Sequence, residues 1–236
     1  MRAFFTLATL ALASSAVNAG VLVKTYDMPN GSGHASGGSW NYWDLSYSGS
    51  GSKTTDGAFL SGGKGDLTDG HVASDMFIFV ENHAGTGPYV GWVKERTPTL
   101  EILFTFEPSP DPAWIDTIRI HVDNSMLGGV YQPAGYRVNG VPAMFAPLPD
   151  NTIGWVTLTG FGKVPSSSSL TLALDYAPHH PTRSWIFVSE IEFLSGVIPE
   201  PQSWALMIAG FGLVGSVLRR HRARPDGWTT RTAPRT

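Results

Sequence analysis

The chain contains no cysteine among its 236 residues. This absence excludes disulfide-stapled scaffolds, thiolate zinc sites, iron–sulfur clusters and cysteine nucleophiles. Catalytic motifs are also scarce: the seven histidines show no metal-ligand spacing, and no G-x-S-x-G elbow or phosphate-binding glycine loop occurs. We therefore predict a noncatalytic protein.

Positive charge is scarce through most of the chain. From Gly20 to Ile198 there are nine Lys or Arg residues against seventeen Asp or Glu, a net charge of −8, and the last eighteen positions hold six of the sixteen basic residues. This acidic body argues against binding nucleic acid by phosphate neutralisation, so we expect no nucleic-acid partner. Aromatic residues, at 11%, supply material for a hydrophobic core.

The N-terminus has the three parts of a secretory signal peptide. Met1 and Arg2 precede an apolar run at 3–13, and small residues follow up to Val17-Asn18-Ala19. This pattern predicts export and cleavage by signal peptidase after Ala19. The alternative is a buried N-terminal helix.

A second apolar stretch lies near the C-terminus. Residues 204–218 carry no charge and are followed at once by basic residues, namely Arg219, Arg220, Arg222 and Arg224. We predict a short transmembrane helix at 202–218 in the inner membrane, with this basic stop in the cytoplasm. The alternative is a core helix of the globular domain.

The same region resembles the PEP-CTERM sorting signal of Gram-negative bacteria, in its PEPxxWA subtype. The matching residues are Pro199, Glu200, Pro201, Trp204 and Ala205, followed by the span and the arginine cluster. The resemblance implies processing by an exosortase, release to the cell surface or extracellular matrix, and a link to exopolysaccharide and biofilm. The polar tail at 225–236 departs from the family, whose members usually end shortly after the arginines.

Between these two segments the chain alternates short β-like runs with turns rich in glycine and proline. Ile102, Phe104 and Phe106 alternate with residues of the opposite face, as expected of a half-buried strand. The pattern predicts an all-β jelly-roll sandwich. Strands are expected at 21–26, 76–80, 89–93, 100–106, 114–122, 136–138, 153–158, 170–174 and 185–194. We interpret 30–65, rich in Gly, Ser and aromatic residues, as a long loop.

Four phrases in order resemble the galactose-binding-like or discoidin β-sandwich family. They are Leu67-Thr68-Asp69-Gly70, Val90-Gly91-Trp92 with the strand at 100–106, Ile115 to His121, and Trp185 to Phe193. In this family a calcium ion commonly joins an early loop to the last strand. The resemblance implies a structural calcium ion held by Asp69, the carbonyl of His71, Ser74 and Glu190. Alternatively, Asp69 is a turn residue that bonds its own backbone and Glu190 is a solvated strand residue.

Aromatic residues in predicted loops point to carbohydrate binding. Sugar recognition combines an aromatic face for stacking with polar side chains for hydroxyl groups. The candidates are Trp40, Tyr42, Trp43, His83, Trp92, Tyr131 and Arg137. Alternatively, most of these aromatic residues belong to the core.

These predictions divide the chain into four parts: a signal peptide at 1–19, a β-sandwich at 20–197, a sorting signal at 198–224 and a tail at 225–236. They describe an exported, exosortase-sorted surface or matrix protein that binds exopolysaccharide. The alternatives are a secreted glycan-active enzyme and a purely structural matrix protein without ligand.

Overall fold

The computed structural model describes residues 19–33, 40–108, 113–178, 184–195 and 211. The chain divides into two compact units, Met1–Val197 and Ile198–Thr236. The predicted signal peptide up to residue 18, the Pro-Glu-Pro motif, the arginine cluster, the polar tail and all but one residue of the predicted span lie outside the described residues. Within the described residues, no helix has the length and apolar character to cross a membrane.

The regular secondary structure of the described residues consists almost entirely of strands. In order these are β1 (Ala19–Val21), β2 (Val23–Pro29), β3 (Phe59–Gly63), β4 (Val90–Val93), β5 (Leu100–Phe106), β6 (Trp114–Asn124), β7 (Gly135–Val138), β8 (Val141–Pro142), β9 (Thr152–Leu158), β10 (Val164–Pro165), β11 (Leu170–Asp175) and β12 (Trp185–Ser195). One helical turn, α1 (Phe77–Val80), lies between β3 and β4, and a 3₁₀ turn spans Leu127–Gly129.

The strands form two antiparallel sheets, which confirms the predicted all-β sandwich. The first sheet has the order β1-β12-β6-β10, with β4 also paired to β12 and β9 to β6. The second has the order β3-β2-β5-β11-β7-β8. In both sheets strands distant in the sequence are neighbours, as expected of a sandwich with crossing connections.

Side chains that alternate along the strands form the core between the sheets. In β5, Leu100, Ile102 and Phe104 are fully buried, whereas Glu101 points to solvent. Phe193 of β12 meets Phe104 across the sheets, with ring centroids 4.8 Å apart. Inward-facing residues of one sheet therefore interdigitate with those of the other.

A second aromatic cluster lies outside the main core, around Phe187. It joins Tyr42, Ala73, Phe77, Tyr89 and Val130. Phe187 lies over Gly91, the residue opposite it on β4. The segments at 40–44 and 73–80 therefore cover part of the first sheet.

Two local predictions are corrected. In the predicted strand 76–80, residues 77–80 form α1 instead, because Asp123 Oδ2 accepts the Phe77 N–H at 2.8 Å and the Glu81 N–H closes the turn on the Phe77 carbonyl. The predicted loop at 30–65 contains β3, which pairs with β2 at Met28 and Leu60.

The two ends of the sandwich differ in what they carry. At one end Ser195 pairs with Ala19 and with Ile115, so β1 begins and β12 ends there. At the other end lie the segments 94–99, 125–134 and 175–178, which we call the loop end. The eleven residues of β12 separate the two ends by roughly 35 Å, at about 3.3 Å per residue.

Candidate functional site

A pocket of about 270 Å³ opens at the loop end. Its lining combines charged and polar groups with an apolar wall: Lys94, Pro98, Thr99, Leu100, Arg137, Leu174, Asp175 and Tyr176. This volume is close to the lower end of the range of roughly 300–1,000 Å³ typical of small-molecule sites. The pocket therefore fits a ligand about the size of one sugar ring.

Arg137 and Asp175 form the charged side of the pocket. Arg137 pairs with Ala173 across the β7–β11 ladder, which places its side chain beside Asp175, two residues further along the same face. Arg137 Nη1 lies 2.5 Å from Asp175 Oδ2, and both side chains remain about 40% exposed. This charge-assisted bond fixes the guanidinium while leaving it accessible to a ligand.

Lys94 and Tyr176 are held in the lining by a main-chain hydrogen bond and by packing, respectively. Lys94 follows β4, and its N–H donates to the Ser184 carbonyl at 3.0 Å. The ring of Tyr176 packs against the core, and its buried hydroxyl has no hydrogen-bond partner. Burial raises the pKa of Tyr176 above its usual value, so the phenol stays neutral.

The structure separates the predicted sugar-binding residues. Only Arg137 lines the pocket. The assignment of Tyr42 and Trp92 to ligand stacking is corrected: they are 2% and 0% exposed, so neither ring can reach a ligand. Tyr42 belongs to the second aromatic cluster, and Trp92 Nε1 donates to the Pro29 carbonyl at 2.7 Å in the core.

The other four predicted residues do not line the pocket. Trp43 packs over Gly33, and its Nε1 donates to Asp56 Oδ1 at 2.7 Å. Trp40 is half-buried against the second aromatic cluster. Tyr131 is half-buried at the loop end, where its N–H donates to the Trp185 carbonyl at 3.1 Å, and His83 is exposed.

Sequence reasoning missed Lys94, Asp175 and Tyr176. Each lies at or just beyond the end of a strand, a position typical of ligand-binding residues on a sandwich. Lys94 comes after the predicted strand 89–93, and Asp175 and Tyr176 come after 170–174. Their position at the ends of predicted strands was the sequence signal that could have identified them as ligand-binding residues.

The residues predicted to hold calcium lie where the loop 66–75 runs beside β12. Glu190 Oε2 accepts the Gly70 N–H at 2.8 Å, and Asp69 Oδ1 accepts the His71 N–H at 2.7 Å. Asp69 therefore bonds to its own backbone, as the alternative interpretation predicted. Glu190, only 5% exposed, is not the solvated residue of the alternative interpretation.

One of these groups, the buried Glu190 carboxylate, has chemistry that suits a hard cation. Burial, and then the neighbouring Asp69 and Glu192, raise the pKa of Glu190 to about 8. A cation would offset the cost of holding this buried carboxylate ionised. In the described part of the chain no three His, Asp or Glu side chains gather as a metal site, and the predicted set contains only two carboxylates.

A separate network of buried carboxyl groups lies beside this loop. Tyr26 donates to Asp44 Oδ2 at 2.5 Å, and Ser46 Oγ lies 2.5 Å from Asp66 Oδ1 and 3.1 Å from Asp44 Oδ1. Burial, and then Asp44, raise the pKa of Asp66 to about 7. Burial likewise raises the pKa of Glu81 to about 8.

A family model matches part of the sandwich. The model of the discoidin domain-containing receptor 1/2 DS-like domain matches residues 22–134. Among solved structures, the chain is similar to one from the Streptococcus pneumoniae beta-galactosidase BgaA, with a TM-score of 0.38 and 10% identity, over 54% of this chain and 82% of that one. The curated proteins gave no match. The chain thus has a discoidin-like match over residues 22–134, in keeping with the predicted resemblance.

Proposed function

We propose that this domain is a noncatalytic carbohydrate-binding module. The observation that carries the proposal is the loop-end pocket, where a fixed guanidinium, an ammonium and a hydroxyl-bearing residue meet an apolar wall. Sugars need this combination of directed polar groups and an apolar surface. The discoidin-like match supports the same interpretation.

A glycan array tests the proposal with one pocket variant and one matched control. Arg137→Ala removes the arginine paired with Asp175, whereas Arg119→Ala removes one of similar exposure that pairs with Glu192 on the first sheet. We expect Arg137→Ala to weaken glycan binding about tenfold, because bonds to charged groups contribute roughly 1.5–3 kcal/mol. Arg119→Ala should leave binding unchanged.

The alternatives give different results in the same assay. Binding to no glycan, together with self-association of the protein, would favour a purely structural matrix protein. Release of new reducing ends from the bound polysaccharide would make the protein a glycan-active enzyme.

We further propose that the protein is exported and sorted to the surface or matrix of a Gram-negative bacterium by an exosortase. Signal peptidase, the exosortase, the inner membrane and exopolysaccharide are the proposed partners. The support is the order of motif, apolar span and arginine cluster in the sequence. Deletion of the exosortase gene should leave the protein in the inner-membrane fraction, and unchanged release into the medium would contradict this role.

A further inference from the structure

The lining of the loop-end pocket has a net positive charge, whereas the domain has a net negative charge. Lys94 and Arg137 supply two positive charges to the lining, and Asp175 supplies one negative charge. The sequence from Gly20 to Ile198 has a net charge of −8. The pocket thus holds two of the nine basic residues of an acidic domain, a local field that favours an anionic ligand.

The two cations of the pocket differ in how they are held. Arg137 Nη1 donates to Asp175 Oδ2, which holds the guanidinium in place. Among the described residues, Asp175 is the one acceptor for the Arg137 side chain. A guanidinium has five N–H donors, so most remain for a ligand. Lys94 forms no ion pair within the described residues, and its ammonium is the uncompensated charge of the lining.

A compact ring that carries a negative charge would match this lining. A carboxylate suits both cations, since guanidinium binds it in a planar two-point arrangement and ammonium binds it as a point charge. The apolar part of the lining that a ligand can reach is Pro98 and the half-buried Tyr176 ring, because Leu100 and Leu174 are only 1% and 2% exposed. This surface suits the C–H face of a sugar. The volume of about 270 Å³ limits the bound unit to about one ring.

We propose that this pocket binds a uronic acid residue of a polysaccharide, with its carboxylate on Lys94 and Arg137. The proposal rests on the carbohydrate-binding function above and specifies the class of sugar. The apolar wall orients the ring, and the ion pair between Arg137 and Asp175 keeps the guanidinium in place before the ligand arrives.

Binding of the purified protein to three polymers tests this inference. Polygalacturonate carries the sugar and the charge, its methyl ester carries the sugar without the charge, and poly-glutamate carries carboxylates without sugar. We expect binding to polygalacturonate at least tenfold tighter than to either other polymer, and weaker at high salt.

Two lysine variants test whether Lys94 causes the preference for polygalacturonate over its methyl ester. Lys94→Gln should weaken polygalacturonate binding about tenfold and leave binding of the ester unchanged. Lys163→Gln, an exposed lysine next to β10 at the opposite end, should have no effect. Equal binding of the acid and its ester, equal binding of poly-glutamate, or full affinity in Lys94→Gln would overturn the uronate assignment. Binding to neutral glycans alone would keep the carbohydrate function and refute this inference, whereas binding to none would refute both.

Discussion

Gly91 shows how one absent side chain shapes the covered face of the first sheet. A Cβ at this position would lie 1.8 Å from Phe187 Cε1 and 2.2 Å from Cδ1. Phe187 in turn holds the second aromatic cluster, with ring centroids 4.6 Å from Tyr42 and 4.9 Å from Phe77. The missing side chain at Gly91 therefore leaves room for Phe187, on which the segments at 40–44 and 73–80 pack.

We expect Gly91→Ala to destabilise the domain by about 1–3 kcal/mol, the usual cost of forcing a buried ring to move. Gly154→Ala is the matched control, since its Cβ would meet only the two Leu148 methyl groups, at 3.4 and 3.9 Å. Urea unfolding of both variants measures the difference. Equal stability of the two variants would contradict the packing role of Gly91.

At the scale of elements, the loop 66–75 is bound to the middle of β12. The Ile191 N–H donates to the Leu67 carbonyl at 2.8 Å, and the Ala73 N–H donates to Ser189 Oγ at 3.2 Å. Between these two bonds, Glu190 accepts the Gly70 N–H. The loop thus fills the space along β12 between its partners β1 and β4.

We propose that calcium strengthens this connection through Asp69, the His71 carbonyl, Ser74 and Glu190. The ion would be structural, so EDTA should lower the melting temperature by several degrees and calcium should restore it. Glu190→Gln should abolish the calcium effect. Glu192→Gln, two residues along the strand and paired with Arg119, should keep it. An EDTA-independent melt of the unmodified protein would refute the site.

At the scale of the whole molecule, the sandwich holds several carboxyl groups out of water. Asp66 and Glu81 are 8% and 7% exposed, and one oxygen of Glu81 is buried without a hydrogen-bond partner. Burial raises the pKa of Asp66 to about 7 and that of Glu81 to about 8. Burial thus favours the protonated form of both carboxyl groups.

These raised pKa values predict that stability falls as pH rises. The folded carboxyl groups hold their protons up to about pH 7–8, whereas unfolded ones release them near pH 4, so the folded state binds more protons in this window. In EDTA, the free energy of unfolding should be about 2–4 kcal/mol lower at pH 8 than at pH 5.5.

Two variants isolate the contribution of Glu81 to this pH dependence. Glu81→Gln should reduce the slope of stability against pH, because the amide cannot ionise. Glu101→Gln, on the exposed face of β5, should leave the slope unchanged. Stability that rises between pH 5.5 and 8 would contradict the assignment.

The sequence predicted the core better than it predicted the site. Alternation along 100–106 identified the buried face because a strand repeats every two residues, but the apolar run at 76–80 was too short to distinguish a strand from a helical turn. The pocket depends on β7 pairing with β11, which places Arg137 beside Asp175 across 38 residues of sequence. A local sequence pattern cannot predict a contact between residues 38 positions apart. Composition likewise cannot show that the Trp92 side chain faces the core.

The separation of the two ends of the sandwich has a consequence for avidity. β12 ends at Ser195, and the pocket lies at the other end of this strand, roughly 35 Å away at about 3.3 Å per residue. A copy held at the Ser195 end of the sandwich would leave its pocket free at the opposite end. Many copies fixed this way would meet a repeating polymer together, so that pockets with weak individual affinity would hold it firmly.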